Sequence, residues 1–176
     1  MRFVDFLKAT VLLSAGSATV LGILTVLRVA ADDRAGLMEV AVGWWLLAAL
    51  LGAWLGRRNA ATPPIARLLA DARMQMSLPE VRPGLTLLNR LWPLLFSTIG
   101  AGVLGIFLPQ VSAVAAGFAI IWALAWRRQE AAVTAIEERD GAAFFVERTS
   151  PLRPIQLVRT PGFRRIGPAP SANGFG

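Results

Sequence analysis

The sequence predicts an all-α integral membrane protein. It has four transmembrane helices as two tandem parallel hairpins, a short cytoplasmic amphipathic helix, and a small β-hairpin in the C-terminal tail. Three observations predict this. First, 55% of the 176 residues are hydrophobic and only 16% charged, where a soluble domain carries about 25% charged residues. Mean hydropathy is +0.56. Second, four runs of the chain are uncharged or nearly so. Third, every base except Arg28 falls outside those runs, and almost all lie at one end of them.

The first run is Ala9 to Ala31, with Arg28 near its end. The second is Leu37 to Gly56, with Glu39 near its start. Leu91 to Leu108 and Val111 to Trp126 follow. A helix needs roughly 20 apolar residues to cross about 30 Å of hydrocarbon. The first two runs meet that length. The third borrows Leu85, Leu87 and Leu88, and Trp92 and Trp126 suit the membrane interface. Pro109-Gln110 is the turn signal between the last two runs, so they form a tight hairpin; a re-entrant loop is the competing arrangement. Val29-Ala30-Ala31 resembles a signal-peptide cleavage site, but the apolar run is longer than such a peptide needs and contains Arg28, which favours a retained helix.

The bases give the orientation. Arg28 and Arg34 lie in the first connection and none lies in the third. Arg2 and Lys8, the arginines between residues 57 and 90, and those from Arg127 onward all fall at the opposite end. The positive-inside rule makes that end cytoplasmic. The protein is then a multi-pass protein of the plasma (inner) membrane with both termini inside. The net charge of +7 is a topology signal facing anionic headgroups and does not point to nucleic acid.

The two halves echo one another. Residues 14–24 read SAGSATVLGIL and residues 97–107 read STIGAGVLGIF, sharing Ser, Ala, Val, Leu, Gly and Ile in register. Arg57-Arg58 and Arg127-Arg128 close the second and fourth runs in the same way. A repeat of this kind implies a pseudo-two-fold axis along the membrane normal. It also suggests a helix-packing seam. Ser14, Ala18 and Gly22 share one face, and so do Ser97, Ala101 and Gly105; Ala48, Gly52 and Gly56 form a third stripe, and Ala115, Ala119 and Ala123 a fourth. Small residues at this spacing let helix backbones approach closely.

Residues 1–58 and 91–128 are the two hairpins. Residues 59–90 are an interfacial segment in which Thr62 caps a helix opened by Pro63-Pro64. Ile65, Leu68, Leu69 and Met76 form its apolar face, which either contacts lipid or covers the end of the bundle. Residues 129–166 are arginine-rich. Asp140-Gly141 suits a two-residue turn between strands at 133–139 and 142–149; the alternative is a helix that runs to Arg139 and is capped by Gly141. The prolines from Pro151 to Pro161 favour an extended chain. Residues 167–176 are a low-complexity tail.

Cysteine and histidine are absent. That excludes disulfides, imidazole or thiolate metal sites, and Ser-His or Cys-His nucleophile systems. No cofactor or metal site is expected, and the helix centres carry no ionisable group of the kind that marks proton or ion transport. The sequence therefore predicts a non-catalytic structural or accessory subunit. Arg57, Arg58, Arg127, Arg128, Arg148, Arg153, Arg159, Arg164 and Arg165 would contact anionic headgroups or a membrane-protein partner, which includes a second copy of the chain. Two other readings are a small dimeric transporter or channel with a path lined by Ser14, Ser17, Ser97 and Thr98, and a membrane-shaping hairpin protein.

Overall fold

A computed structural model describes residues 1–32, 35–57, 62–74, 83–146 and 156–161. In order, the elements are α1 (Phe3–Ala31), α2 (Ala35–Leu55), α3 (Pro63–Ala70), β1 (Arg73–Met74), α4 (Pro83–Phe107), α5 (Pro109–Trp126), α6 (Gln129–Asp140), β2 (Ala142–Val146) and β3 (Leu157–Pro161). Helices α1, α2, α4 and α5 are each long and apolar enough to cross a bilayer.

Two of these helices begin well before the apolar runs, by six residues or more. Helix α1 starts at Phe3 because Phe3, Val4, Phe6 and Leu7 are all buried. Helix α4 starts at Pro83, so Pro93 lies within it rather than at its N-terminus. The hairpin between α4 and α5 is as tight as predicted. Leu108 alone separates the two helices, its N–H bonded to the Leu104 carbonyl, and Pro109 takes the first helical position, where the missing N–H costs nothing.

Helix α5 is the hub of the bundle. It packs most extensively against α1, then α2, with α4 against both α1 and α5. Its buried residues explain how it serves several neighbours: Ser112, Ala113, Ala116, Gly117, Ala119 and Ala123 are all small. The bundle does not have the expected two-fold relation. That relation exchanges α1 with α4 and α2 with α5, so α2 and α4 would touch as widely as α1 and α5 do. Among the described residues they share no extensive contact, and α1 and α2 touch only slightly.

At one end, the start of α1, α3, the start of α4, α6 and the sheet enclose a second core. Phe3, Leu7, Ile65, Leu69, Leu91, Val133, Phe144, Val146 and Leu157 meet there. We refer to this region as the cap. Its sheet has the order β1-β3-β2, with β1 parallel and β2 antiparallel to β3. Arg2 bridges the free edge of β2 at Phe145, and the Met1 carbonyl accepts the N–H of Val146. The start of the chain and β2 therefore lie at the same end of the bundle.

The cap corrects several expectations. Residues 133–139 are helix, not strand. Gly141 adopts φ 57 and its N–H bonds to the Glu137 carbonyl, which caps α6. Gln129, Ala132, Val133 and Glu137 bury one face of that helix, and this spacing marks a helix rather than a strand. The β-hairpin does exist, but β2 pairs with β3 across a longer connection. Helix α3 is amphipathic as predicted and covers the bundle's end: Ile65 and Leu69 enter the cap core. It stops at Ala70, and Arg73–Met74 pairs with β3. Thr62 stands at its N-cap without a side-chain bond; its N–H is held instead by Gln129 Oε1 at 3.0 Å. Met76 and residues 167–176 lie outside the described residues.

Candidate functional site

Of the predicted small-residue stripes, the one on α2 lies against α5. Ala48, Gly52 and Gly56 are buried. A Cβ on Gly52 would stand 2.9 Å from Leu124 Cβ and 3.0 Å from Ile121 Cα, and one on Gly56 would collide with the Leu124 carbonyl oxygen. Only glycine lets α2 lie this close to α5. On the same interface, the indoles of Trp44 and Trp45 donate to the Val114 and Ala113 carbonyls at 3.2 and 2.9 Å. Trp44 lies over Gly117, where a Cβ would meet its ring.

In α1, Ser14 is buried, while Ala18 and Gly22 are half-buried; the buried line runs Ser14, Ser17, Leu21, Thr25. The seam is rotated from the predicted one because α4 and α5 approach α1 from two sides. In α4, Gly105 is buried against Ser112, Ala101 is half-buried and Ser97 is exposed. Thr98 makes a polar contact from α4 to α1, its hydroxyl 3.0 Å from that of Ser17. Thr25 and Ser112 hydroxyls bond at 2.9 Å between α1 and α5. Of the four hydroxyls of the expected transport path, Ser14 is sealed in the seam and Ser17 meets Thr98 there. Ser97 and Thr98 border a cavity of about 270 Å³ whose other walls include Leu21, Leu94, Phe118 and Trp122.

The arginines form the most distinctive surface. Helices α2 and α5 both end at the cap side, and their close approach places Arg57 beside Arg127 and Arg128. The Arg128 guanidinium donates to the Arg57 carbonyl at 3.2 Å. These bases rim a groove of about 920 Å³ whose other lining residues are Leu50, Leu51, Ala53 and Trp54. Three bases and no acid line it among the described residues. Compared with protein-family models, with curated proteins and with solved structures, the chain matches none.

Of the other predicted contact residues, Arg159 is built into β3, with its Cα opposite Phe144 and Met74. Arg58, Arg148, Arg153, Arg164 and Arg165 lie outside the described residues. Sequence reasoning missed Leu50, Leu51 and Trp54 as partners of the arginines. The signal was available, because Trp54 stands three residues before Arg57 and therefore on the same helix face.

It also missed the polar ties that hold the cap. Glu137 is buried, takes the Arg2 guanidinium at 2.7 Å, and accepts the Phe144 N–H at 3.0 Å. Lys8 pairs with Glu130 at 3.0 Å. These groups are structural, since each buried carboxylate oxygen is already occupied. Among the described residues every buried side-chain nitrogen or oxygen has a hydrogen-bond partner, and no cluster of three metal-ligating side chains forms.

Proposed function

We propose that the protein is a non-catalytic integral membrane subunit or scaffold. Its two tandem hairpins, α1–α2 and α4–α5, cross the plasma (inner) membrane four times. The cap lies in the cytoplasm and presents an arginine-rich surface to anionic lipid and to a membrane-protein partner. One observation carries this reading: the bundle buries small and hydroxyl side chains and turns its largest apolar ones outward. Phe107 is 76% exposed, Leu12 72% and Phe96 71%. In water such a surface would aggregate; in hydrocarbon it is the solvated face.

The positive-inside rule supports a cytoplasmic cap, because the bases gather at that end. The paired hydroxyls and occupied carboxylates support the non-catalytic part, since among the described residues no nucleophile or base stands poised beside a substrate-sized polar cavity. The chain following β3 carries Arg164 and Arg165, two of the arginines expected to contact a partner.

The test is affinity purification from native membranes in mild detergent, comparing the full chain with a version ending after Pro161. That truncation keeps β3 and so keeps the cap. The full chain is expected to bring down a membrane protein that the truncated chain loses. Recovery of the full chain alone, or of the same partners by both, would remove the proposed role of the tail.

A further inference from the structure

We propose that the cavity of about 270 Å³ beside Ser97 and Thr98 is a binding site for the ring of a neutral phenol or hydroquinone dissolved in the membrane. The ring would lie against Phe118 and Trp122, and its hydroxyl would donate to Ser97 Oγ. This rests on the membrane reading above and goes beyond it, because it gives the bundle a specific small-molecule ligand.

Depth and charge make that ligand neutral. The cavity is bounded by α1, α4 and α5. At 1.5 Å per residue, Phe118 lies about 12–14 Å from either end of α5, so the cavity sits near the middle of the span. Among the described residues no charged side chain lines it. A phosphate or ammonium head would stand there without a counter-ion, which hydrocarbon depth penalises heavily.

Hydrogen bonding asks for a donor. The Ser97 hydroxyl donates to the Leu94 carbonyl at 2.9 Å, and that of Thr98 approaches the same carbonyl at 2.7 Å. Thr98 also meets Ser17 at 3.0 Å, so its oxygen is engaged within the seam, whereas Ser97 is exposed. A hydroxyl has one proton and two lone pairs. With its proton turned to the backbone, Ser97 offers acceptor capacity to the cavity. An acyl chain has nothing to donate and an ether only accepts; a phenol supplies the proton.

Size and shape ask for a ring. An apolar cavity of about 150 Å³ holds one benzene, so this one admits a fused pair of rings. Helix α5 makes the room with Ala115 and Ala119 and sets Phe118 and Trp122, one turn apart, beside them. Both aromatic rings are fixed by the bundle itself: Phe118 meets Trp44 edge-on at 5.6 Å, and Trp122 lies 5.5 Å from Trp126. Phe118 is still 53% exposed and Trp122 51%, which leaves surface for offset or edge-on packing of a further ring.

The probe is tritiated 2-naphthol, with two fused rings and one hydroxyl. The full chain is placed in phosphatidylcholine nanodiscs, and binding is counted above that of empty nanodiscs, which subtracts partition into lipid. One saturable site per chain is expected. Ala115→Leu fills the cavity and should lower the affinity at least tenfold. Ala15→Leu adds the same bulk on the exposed face of α1 and should leave binding unchanged. The ether 2-methoxynaphthalene keeps the rings and lacks the proton, so it should compete about three- to tenfold more weakly than unlabelled 2-naphthol. Ser97→Ala should weaken 2-naphthol by a similar factor and leave the ether unchanged.

Unchanged binding in Ala115→Leu, equal effects of Ser97→Ala on the two probes, or competition by decane as strong as that by 2-naphthol would each overturn the site. If Ala115→Leu does not fold, the Ser97→Ala comparison decides alone. A parent chain that stays monodisperse in water and does not enter nanodiscs overturns the membrane reading together with the site. A chain that enters them and shows no saturable 2-naphthol overturns the site alone.

Discussion

In the bundle, the side chains turned inward are Ser14, Ser17, Thr25, Ser112, Ala113, Ala116 and Ala119, while Leu12, Leu50, Phe96 and Phe107 face outward. In the cap the arrangement is reversed. Phe3, Leu7, Ile65, Val133, Phe144 and Val158 are inside, and Arg67, Glu138 and Arg139 face outward. One chain therefore follows two packing rules within a few residues of each other, and α1 crosses from one to the other near Thr10. On the proposed membrane reading, the difference follows from what surrounds each region. Apolar burial drives assembly where the alternative is water. Where the alternative is lipid tails, close backbone approach and hydroxyl pairs must hold the helices together.

The comparison can be broken by the same residue type in the two regions. Phe144→Ala should cost about 3–5 kcal/mol, because it empties the cap core. Phe96→Ala, on the bundle exterior, should change stability by less than about 0.5 kcal/mol. Denaturant titration in detergent micelles measures both, and similar costs would contradict the reversal. The reverse experiment adds volume. Gly52→Leu gains about 1 kcal/mol of helix propensity but drives a side chain into the Ile121 backbone, which costs about 1–3 kcal/mol or more. The clash wins, and α2 should separate more readily from α5 in the same titration.

Smaller effects sharpen the picture. Gly141→Ala should cost about 1 kcal/mol, purely from the left-handed backbone, since a Cβ there meets nothing within 4 Å. Thermal melting of the cap checks this, with the bundle's helical signal expected to persist. Thr25→Val removes the hydroxyl pair with Ser112 and should cost only about 0.6 kcal/mol, measured best against Ser112→Ala in a double-mutant cycle.

The four apolar helices were legible because a long uncharged run has few other physical outcomes. The extensions of α1 and α4 were not, since Asp5, Lys8 and Arg90 interrupt the apolar pattern there. Lys8 is exposed and meets Glu130, far away in sequence. Asp140-Gly141 carried an ambiguous signal: a glycine with positive φ serves a hairpin turn and a helix cap equally well. The face of α6, read at Gln129, Ala132, Val133 and Glu137, would have decided it. Strand β3 was hidden among prolines, yet its one proline, Pro161, is its last residue, so Leu157 to Thr160 keep their N–H groups for pairing.

For the site, each arginine was legible as a topology signal. Their convergence into one groove was not, because it depends on α2 lying against α5 at Gly52 and Gly56. The echo between residues 14–24 and 97–107 suggested that Ser14 and Ser97 play equivalent parts. They do not, since α4 turns Thr98 rather than Ser97 toward α1.

The native chain has no cysteine, so single cysteines can be placed at will and spin-labelled in vesicles. Labels at Phe96 and Leu50 should relax strongly with dissolved oxygen and weakly with a water-soluble nickel chelate, while a label at Arg139 in the cap should do the reverse. Strong nickel relaxation at Phe96 and Leu50 would contradict an exterior built for hydrocarbon.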